Sequence, residues 1–246
     1  MDIIILSTVL FIAIFIMFYL PIKNIKKSIG FTIIVYVTMQ IIFGFVLYLD
    51  AMQLKDKFTT EEKTILLNHK GNFISGFKTK NMEDPEGIEF FTNEQINAFT
   101  GKSHQEALGN SYKLIVIKSE IFQNMDQIEY SGQKFSKEEM LSILESDNAI
   151  MEFANRFIEE GLGEHKEELI VQLKTQLGIK DNSQLKGLIF ALLFSQSLQN
   201  DPTILIKGLQ ENKIIIYPET ATFIFIKLVP RYLMEAIQER LPQFIK

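Results

Sequence analysis

Residues 3–22 read IIILSTVLFIAIFIMFYLPI, twenty positions without a charge. As a helix this run extends about 30 Å, the thickness of a bilayer's hydrocarbon core, so a spanning helix is predicted. A secretory signal peptide is the rival reading. It needs a basic n-region and a small-residue cleavage site, neither of which is seen here, and a second apolar run follows at once.

Pro21 closes the run, and Lys23, Asn24, Ile25, Lys26, Lys27 and Ser28 form a short basic turn. Residues 29–49 are again uncharged and make a second span. Of Tyr19, Tyr36 and Tyr48, two lie near span ends, where a ring with a polar tip prefers the interface. A turn this short makes the helices antiparallel neighbours, so the N-terminus and the rest of the chain share one side of the membrane. Lys23, Lys26 and Lys27 mark the turn as cytoplasmic by the positive-inside rule. Lys55, Lys57 and Lys63 lie within counting distance of the second span and argue the other way. The balance favours a multi-pass protein of the cell membrane with its soluble part outside the cytoplasm.

The second span also carries small and polar residues, Gly30, Thr32, Thr38, Gln40 and Gly44, of the kind that let helices approach. Gln40 falls near the bilayer midplane, where an amide needs a partner. At that depth the first span offers only apolar residues near Ile12, so Gln40 is expected to bond across a homo-oligomer or to another membrane protein. The alternative is a bond to its own helix backbone.

The remaining residues, 51–246, are enough to bury a core without staples. The net charge of -5 becomes slightly more negative once the first fifty residues are set aside, and no run of Lys or Arg exceeds two. A nucleic-acid binder needs a basic face to displace phosphate counterions, so that class is set aside. Zero cysteines exclude disulfides, thiolate metal sites and thiol nucleophiles.

Thr59 with Glu62, Thr92 with Gln95 and Ser136 with Glu139 fit the capping box, which proposes three helix starts. Residues 68–80 read as a strand and turn. YKLIVI at 112–117 and KIIIY at 213–217 read as strands. Apolar residues recur at helical spacing through 137–160 and again through 163–178, and the segment 185–198 is apolar nearly all round. That last segment reads as the central core helix, with a membrane-lying segment as runner-up. Asp201-Pro202 reads as a helix start, and residues 219–229 and 231–241 as two helical pieces broken at Pro230. The expected fold class is α+β, with an N-terminal two-helix transmembrane hairpin at 1–50 and a helix-rich soluble domain with a small β-sheet at 51–246.

Motifs that would carry chemistry fail one by one. Gly101-Lys102-Ser103 resembles the end of a phosphate-binding loop, yet Ile96 stands where the first glycine belongs. His69, His104 and His165 follow no zinc-site spacing. Glu159, Glu160, Glu164, Glu167 and Glu168, with Lys166 among them, could meet a hard cation or a basic partner, and equally form a solvated helix face. No catalytic residue, cofactor or metal site is assigned. The expected function is a non-enzymatic interaction or assembly module held at the membrane, with the lipid bilayer and a homo-oligomer or membrane-protein partner as its contacts. An envelope enzyme of hydrolase type, or an accessory subunit of a transport or secretion complex, is the alternative. A pocket joining His104 or His165 to a Ser or carboxylate would favour the enzyme. Heavy use of Ile, Lys and Phe points to an AT-rich genome and so to a prokaryote.

Overall fold

A computed structural model describes residues 3–81, 87–125, 127–130, 133–156, 166–201 and 203–230. The chain mixes helix and sheet, as an α+β class requires. It divides into two compact units: Met1–Asp56 together with the chain from Glu219 onward, and Lys57–Pro218.

The first unit holds α1 (Ile3–Ile22) and α2 (Ile25–Thr60). Among the described residues, α2 alone is long and apolar enough to cross a membrane. The chain breaks at Lys23, whose φ of 51° is left-handed, and Asn24 restarts it by accepting from the Lys27 amide at 3.2 Å. Small side chains let α2 meet α1. Ser28 and Thr32 are fully enclosed; Thr32 Oγ1 donates to Ser28 O at 2.8 Å, and Ser28 Oγ donates to Phe18 O at 3.4 Å. Further along, Ser7 and Tyr36 hydroxyls bond, Phe11 meets the Tyr36 ring edge-on at 5.4 Å, and Phe18 stacks on Phe31 at 5.8 Å. Among the described residues, α10 (Ala221–Leu228) follows Pro218 in this unit.

α2 continues through Thr60, so Thr59 ends a helix where a helix start was predicted. The next residues, KTILLNH, are rich in residues that favour extended backbone and form β1 (Lys63–His69). A two-residue turn at Lys70 and Gly71, both with positive φ, returns the chain as β2 (Asn72–Thr79) in the geometry that suits a twisted hairpin. β3 (Glu89–Phe90) pairs with β2, β4 (Lys113–Lys118) runs parallel to β1, and β7 (Ile214–Tyr217) runs antiparallel to β4. The five-stranded order is β3-β2-β1-β4-β7. A separate hairpin joins β5 (Gln127–Tyr130) to β6 (Gln133–Ser136). The predicted strands at 112–117 and 213–217 are present, the first inside the sheet next to the second, which forms one edge.

β1 and β4 are buried on both faces, which is why their apolar runs are continuous rather than alternating. On one face Leu66, Leu114 and Val116 pack with Phe91, Ile96 and Ala107, carried by short helices α3 (Asn93–Asn97) and α4 (His104–Leu108) and the strand that precedes them. On the other face Ile65 lies opposite Phe77, whose ring meets Phe190 at 5.8 Å. Phe190 belongs to α8 (Asn182–Asn200), which buries Leu185, Ile189, Phe190 and Leu193 as the expected core helix.

Two helix boundaries differ from expectation. The periodic stretch 137–160 is broken: α5 (Lys137–Glu145) and α6 (Ala149–Asn155) are separate, because Asn182 Oδ1 takes the Ile150 amide at 2.9 Å and restarts the helix from a distant segment. The helix expected from Asp201-Pro202 begins at Ile204 as α9 (Ile204–Gln210), with Thr203 as N-cap, while Asp201 closes α8. α7 (Lys166–Leu177) lies within the stretch predicted as 163–178 and ends at Gly178, whose φ is 65°. The predicted helix at 231–241 lies outside the described residues.

Candidate functional site

The predicted membrane residues come first. Lys23, Lys26 and Lys27 are all exposed, and none makes an ion pair among the described residues. Lys26 and Lys27 lie in the first turn of α2, the positive end of its dipole, where cations are unfavourable by about 0.3–1 kcal/mol. Helix stability therefore does not account for them. From Ile29 to Leu49 many large side chains stand exposed, including Phe31, Ile34, Ile41, Ile42 and Phe45. Gln40 is exposed as well, and its amide has no hydrogen-bond partner among the described residues. Thr38, two residues earlier, satisfies itself by donating to Ile34 O at 2.8 Å, which a glutamine's longer side chain does not do here.

Gly101-Lys102-Ser103 is a helix entry. Gly101 has φ of 79°, Lys102 lies over the Phe99 ring at 5.6 Å, and Ser103 caps α4 in a full capping box with Glu106. Bonds from the Ser103 hydroxyl and amide hold the Glu106 carboxyl below its ordinary range. A helix-turn precedes this loop and the helix it opens has five residues, so no phosphate cradle forms. His104 is exposed and stands 6.1 Å from the Tyr217 ring. His165, Glu159, Glu160 and Glu164 lie outside the described residues. Among the described residues no group of three His, Asp or Glu side chains is placed to hold a metal ion.

Three residues the sequence did not connect are brought together at the carboxyl ends of the parallel strands β1 and β4, the edge where open sheets bind ligands. His69 closes β1, and its Nδ1 lies 2.6 Å from Ser119 Oγ, just past β4. On its other side Nε2 lies 3.6 Å from Glu145 Oε1, at the end of α5. Serine, imidazole and carboxylate in that order are the groups of a nucleophile, base and orienting acid. The fit to catalysis is poor. Ser119 is 6% exposed, and the His–Glu separation exceeds a strong hydrogen bond. Two clefts lie elsewhere among the described residues, one of about 100 Å³ beside Met125, Ser197, Asp201 and Lys207, and one beside Glu138, Glu139, Glu152 and Arg156. As built, the cluster ties the β1–β4 edge to α5.

Three lysines are also buried. Lys63 donates to Glu61 O at 2.8 Å and to Phe58 O and Lys80 O, and so caps the last carbonyls of α2. Burial pushes its ammonium below the ordinary value, and the Glu61 charge opposes that. Lys113 donates to Pro218 O, with Nζ 5.1 Å from the centre of the Tyr112 ring. Lys186 on α8 is 5% exposed and donates to Asn93 Oδ1 at 2.9 Å. Burial lowers its pKa, while Asp147 and Glu152 pull it upward. No protein-family model, curated protein or solved structure matches the chain.

Proposed function

We propose that the chain is a membrane-anchored, non-enzymatic interaction or assembly module. In this reading α1 and α2 form a two-helix transmembrane hairpin, and the unit Lys57–Pro218 is presented on one side of the bilayer. The observation that carries it is the uncharged stretch 29–49 of α2, whose large apolar side chains are exposed on a helix long enough to span. Leaving that surface in water would cost about 25 cal/mol per Å² of apolar area, far beyond what a marginally stable fold tolerates.

The exposed Lys23, Lys26 and Lys27 support a cytoplasmic turn, and so an extracytoplasmic unit. Gln40 supports a partner within the bilayer, because a lipid-facing amide without a bond is costly. The test is alkaline carbonate extraction of membranes followed by protease digestion of intact right-side-out vesicles. Retention in the pellet with cleavage from outside is the expected result. Release by carbonate would sink the anchor, and full protection until lysis would reverse the topology.

A hydrolase is the second reading, and the Ser119–His69–Glu145 order is the one observation that favours it. Covalent labelling of the wild type by a fluorophosphonate, lost in Ser119→Ala, would establish it. The buried hydroxyl predicts no labelling.

A further inference from the structure

We propose that α10 is itself a bilayer element, seated in the same leaflet as the last turns of the α2 apolar run, so that the unit Lys57–Pro218 is tethered at both of its ends. The inference rests on α2 spanning the membrane and adds a second point of insertion far along the sequence.

α10 belongs to the compact unit of the N-terminal helices, and its contacts there are specific. Its N-cap residue, Thr220, gives no side-chain bond to the helix start. Asp50, at the end of the α2 apolar run, supplies it instead: the Thr222 amide donates to Asp50 Oδ2 at 2.7 Å. A carboxylate at a helix N-terminus satisfies an orphan amide and meets the positive end of the dipole. Deeper along α2, Phe43 and Phe225 rings lie 6.2 Å apart. Phe43 precedes Asp50 by seven residues, about 10 Å of helix. Phe225, three residues or about 4.5 Å of helix past Thr222, therefore lies below the level of Asp50, beside the uncharged run.

The composition fits that depth. ATFIFIKL carries one charge, on Lys227, and Ile224 is 47% exposed. Helical side chains lean toward the N-terminus, and Lys227 reaches back along α10 to pair with Glu219 ahead of the helix. That is the snorkelling geometry by which a lysine keeps its stem in hydrocarbon and its charge near the headgroups. Eight residues are too few to span, so the occupant of the exposed face is the acyl layer next to the headgroups.

The absence of cysteine allows a clean test on the full chain. Ile224→Cys, Ile41→Cys and Glu94→Cys are each labelled with an environment-sensitive fluorophore and reconstituted into phosphatidylcholine vesicles with or without nitroxide-bearing lipid. The expected result is blue-shifted emission and at least twofold quenching by the nitroxide lipid at positions 41 and 224, with neither at the exposed position 94. Quenching at 41 while 224 behaves like 94 would overturn the placement of α10 and leave the anchor standing. No quenching at 41 would overturn the anchor, and the inference with it.

Discussion

Lys63 and Lys113 stand side by side as register partners on the parallel strands β1 and β4, and both side chains are buried. Parallel partners in register share a face, so two ammonium stems occupy neighbouring positions on strands about 5 Å apart. Each is answered by main-chain carbonyls, among them ones where the chain enters or leaves the unit Lys57–Pro218: Phe58 and Glu61, with Lys80 from the end of β2, for one, and Pro218 for the other. The two ends of this unit are thereby fixed at one end of the central strand pair. If those ends continue into two membrane tethers, this pair is where pull on the tethers would be borne.

Removing either lysine takes a donor from carbonyls of half-buried or exposed residues, at a cost of about 0.5–1.5 kcal/mol per hydrogen bond lost. Lys63→Met and Lys113→Met are each expected to lower the thermal midpoint of the full chain in detergent. The double variant is expected to lose more than the two losses combined, because each single change already relieves the one repulsion between the ammonium groups and the double can relieve it only once. Additive losses in circular-dichroism melts would show that the two charges do not interact.

Lys186 gives a pH prediction. Its folded pKa lies below the ordinary 10.5 because burial disfavours the charged form. Between the folded and unfolded values the unfolded chain holds more protons, so stability rises with pH across that alkaline window. Below the folded value the full cost of the buried charge remains. Lys186→Met, of similar volume, removes the charge and leaves the half-buried Asn93 to water. The variant should match or exceed the wild type at neutral pH, with the difference shrinking as pH climbs toward 10.5. A difference that grows with pH would contradict the burial argument.

Gly187 lies where α8 crosses β3. A Cβ added there would sit 1.9 Å from Phe90 Cδ1, so the Phe90 ring or the helix must shift to admit it. Gly187→Ala should destabilise by about 1–3 kcal/mol through overpacking. Phe90→Leu in the same background should recover part of the loss. If Gly187→Ala melts with the wild type, α8 does not approach the sheet this closely.

These residues also mark what the sequence discloses. The apolar runs of α1 and α2 and strands β4 and β7 are legible, because run length and burial on both faces are written in consecutive residues. β1 is not: Thr59 and Glu62 imitate a four-residue capping signal, and what makes residues 63–69 a strand is pairing with β4, fifty residues away. The break between α5 and α6 depends on Asn182, and the His69 cluster on Ser119 and Glu145, each from a separate element. Local periodicity carries no trace of such partners. The capping boxes at Thr92 and Ser136 survive because they are local in fact as well as in form.

Gln40 carries the last prediction. Its amide holds both donors and an acceptor, so two copies related by a twofold axis can satisfy each other across a helix pair. Gly44, one turn further along α2, has nothing within 4 Å of a built Cβ and leaves room for a second backbone to approach. The full chain is therefore expected to self-associate in detergent micelles and bilayers. Interhelical bonds of this kind contribute roughly 0.6–1.7 kcal/mol, so Gln40→Leu should weaken association about three- to fifteenfold. Single-cysteine crosslinking at position 37, 41 or 44 should mark which face meets the partner. A wild type that stays monomeric at every protein-to-detergent ratio, or a Gln40→Leu variant that associates equally well, would leave the amide to a different membrane protein.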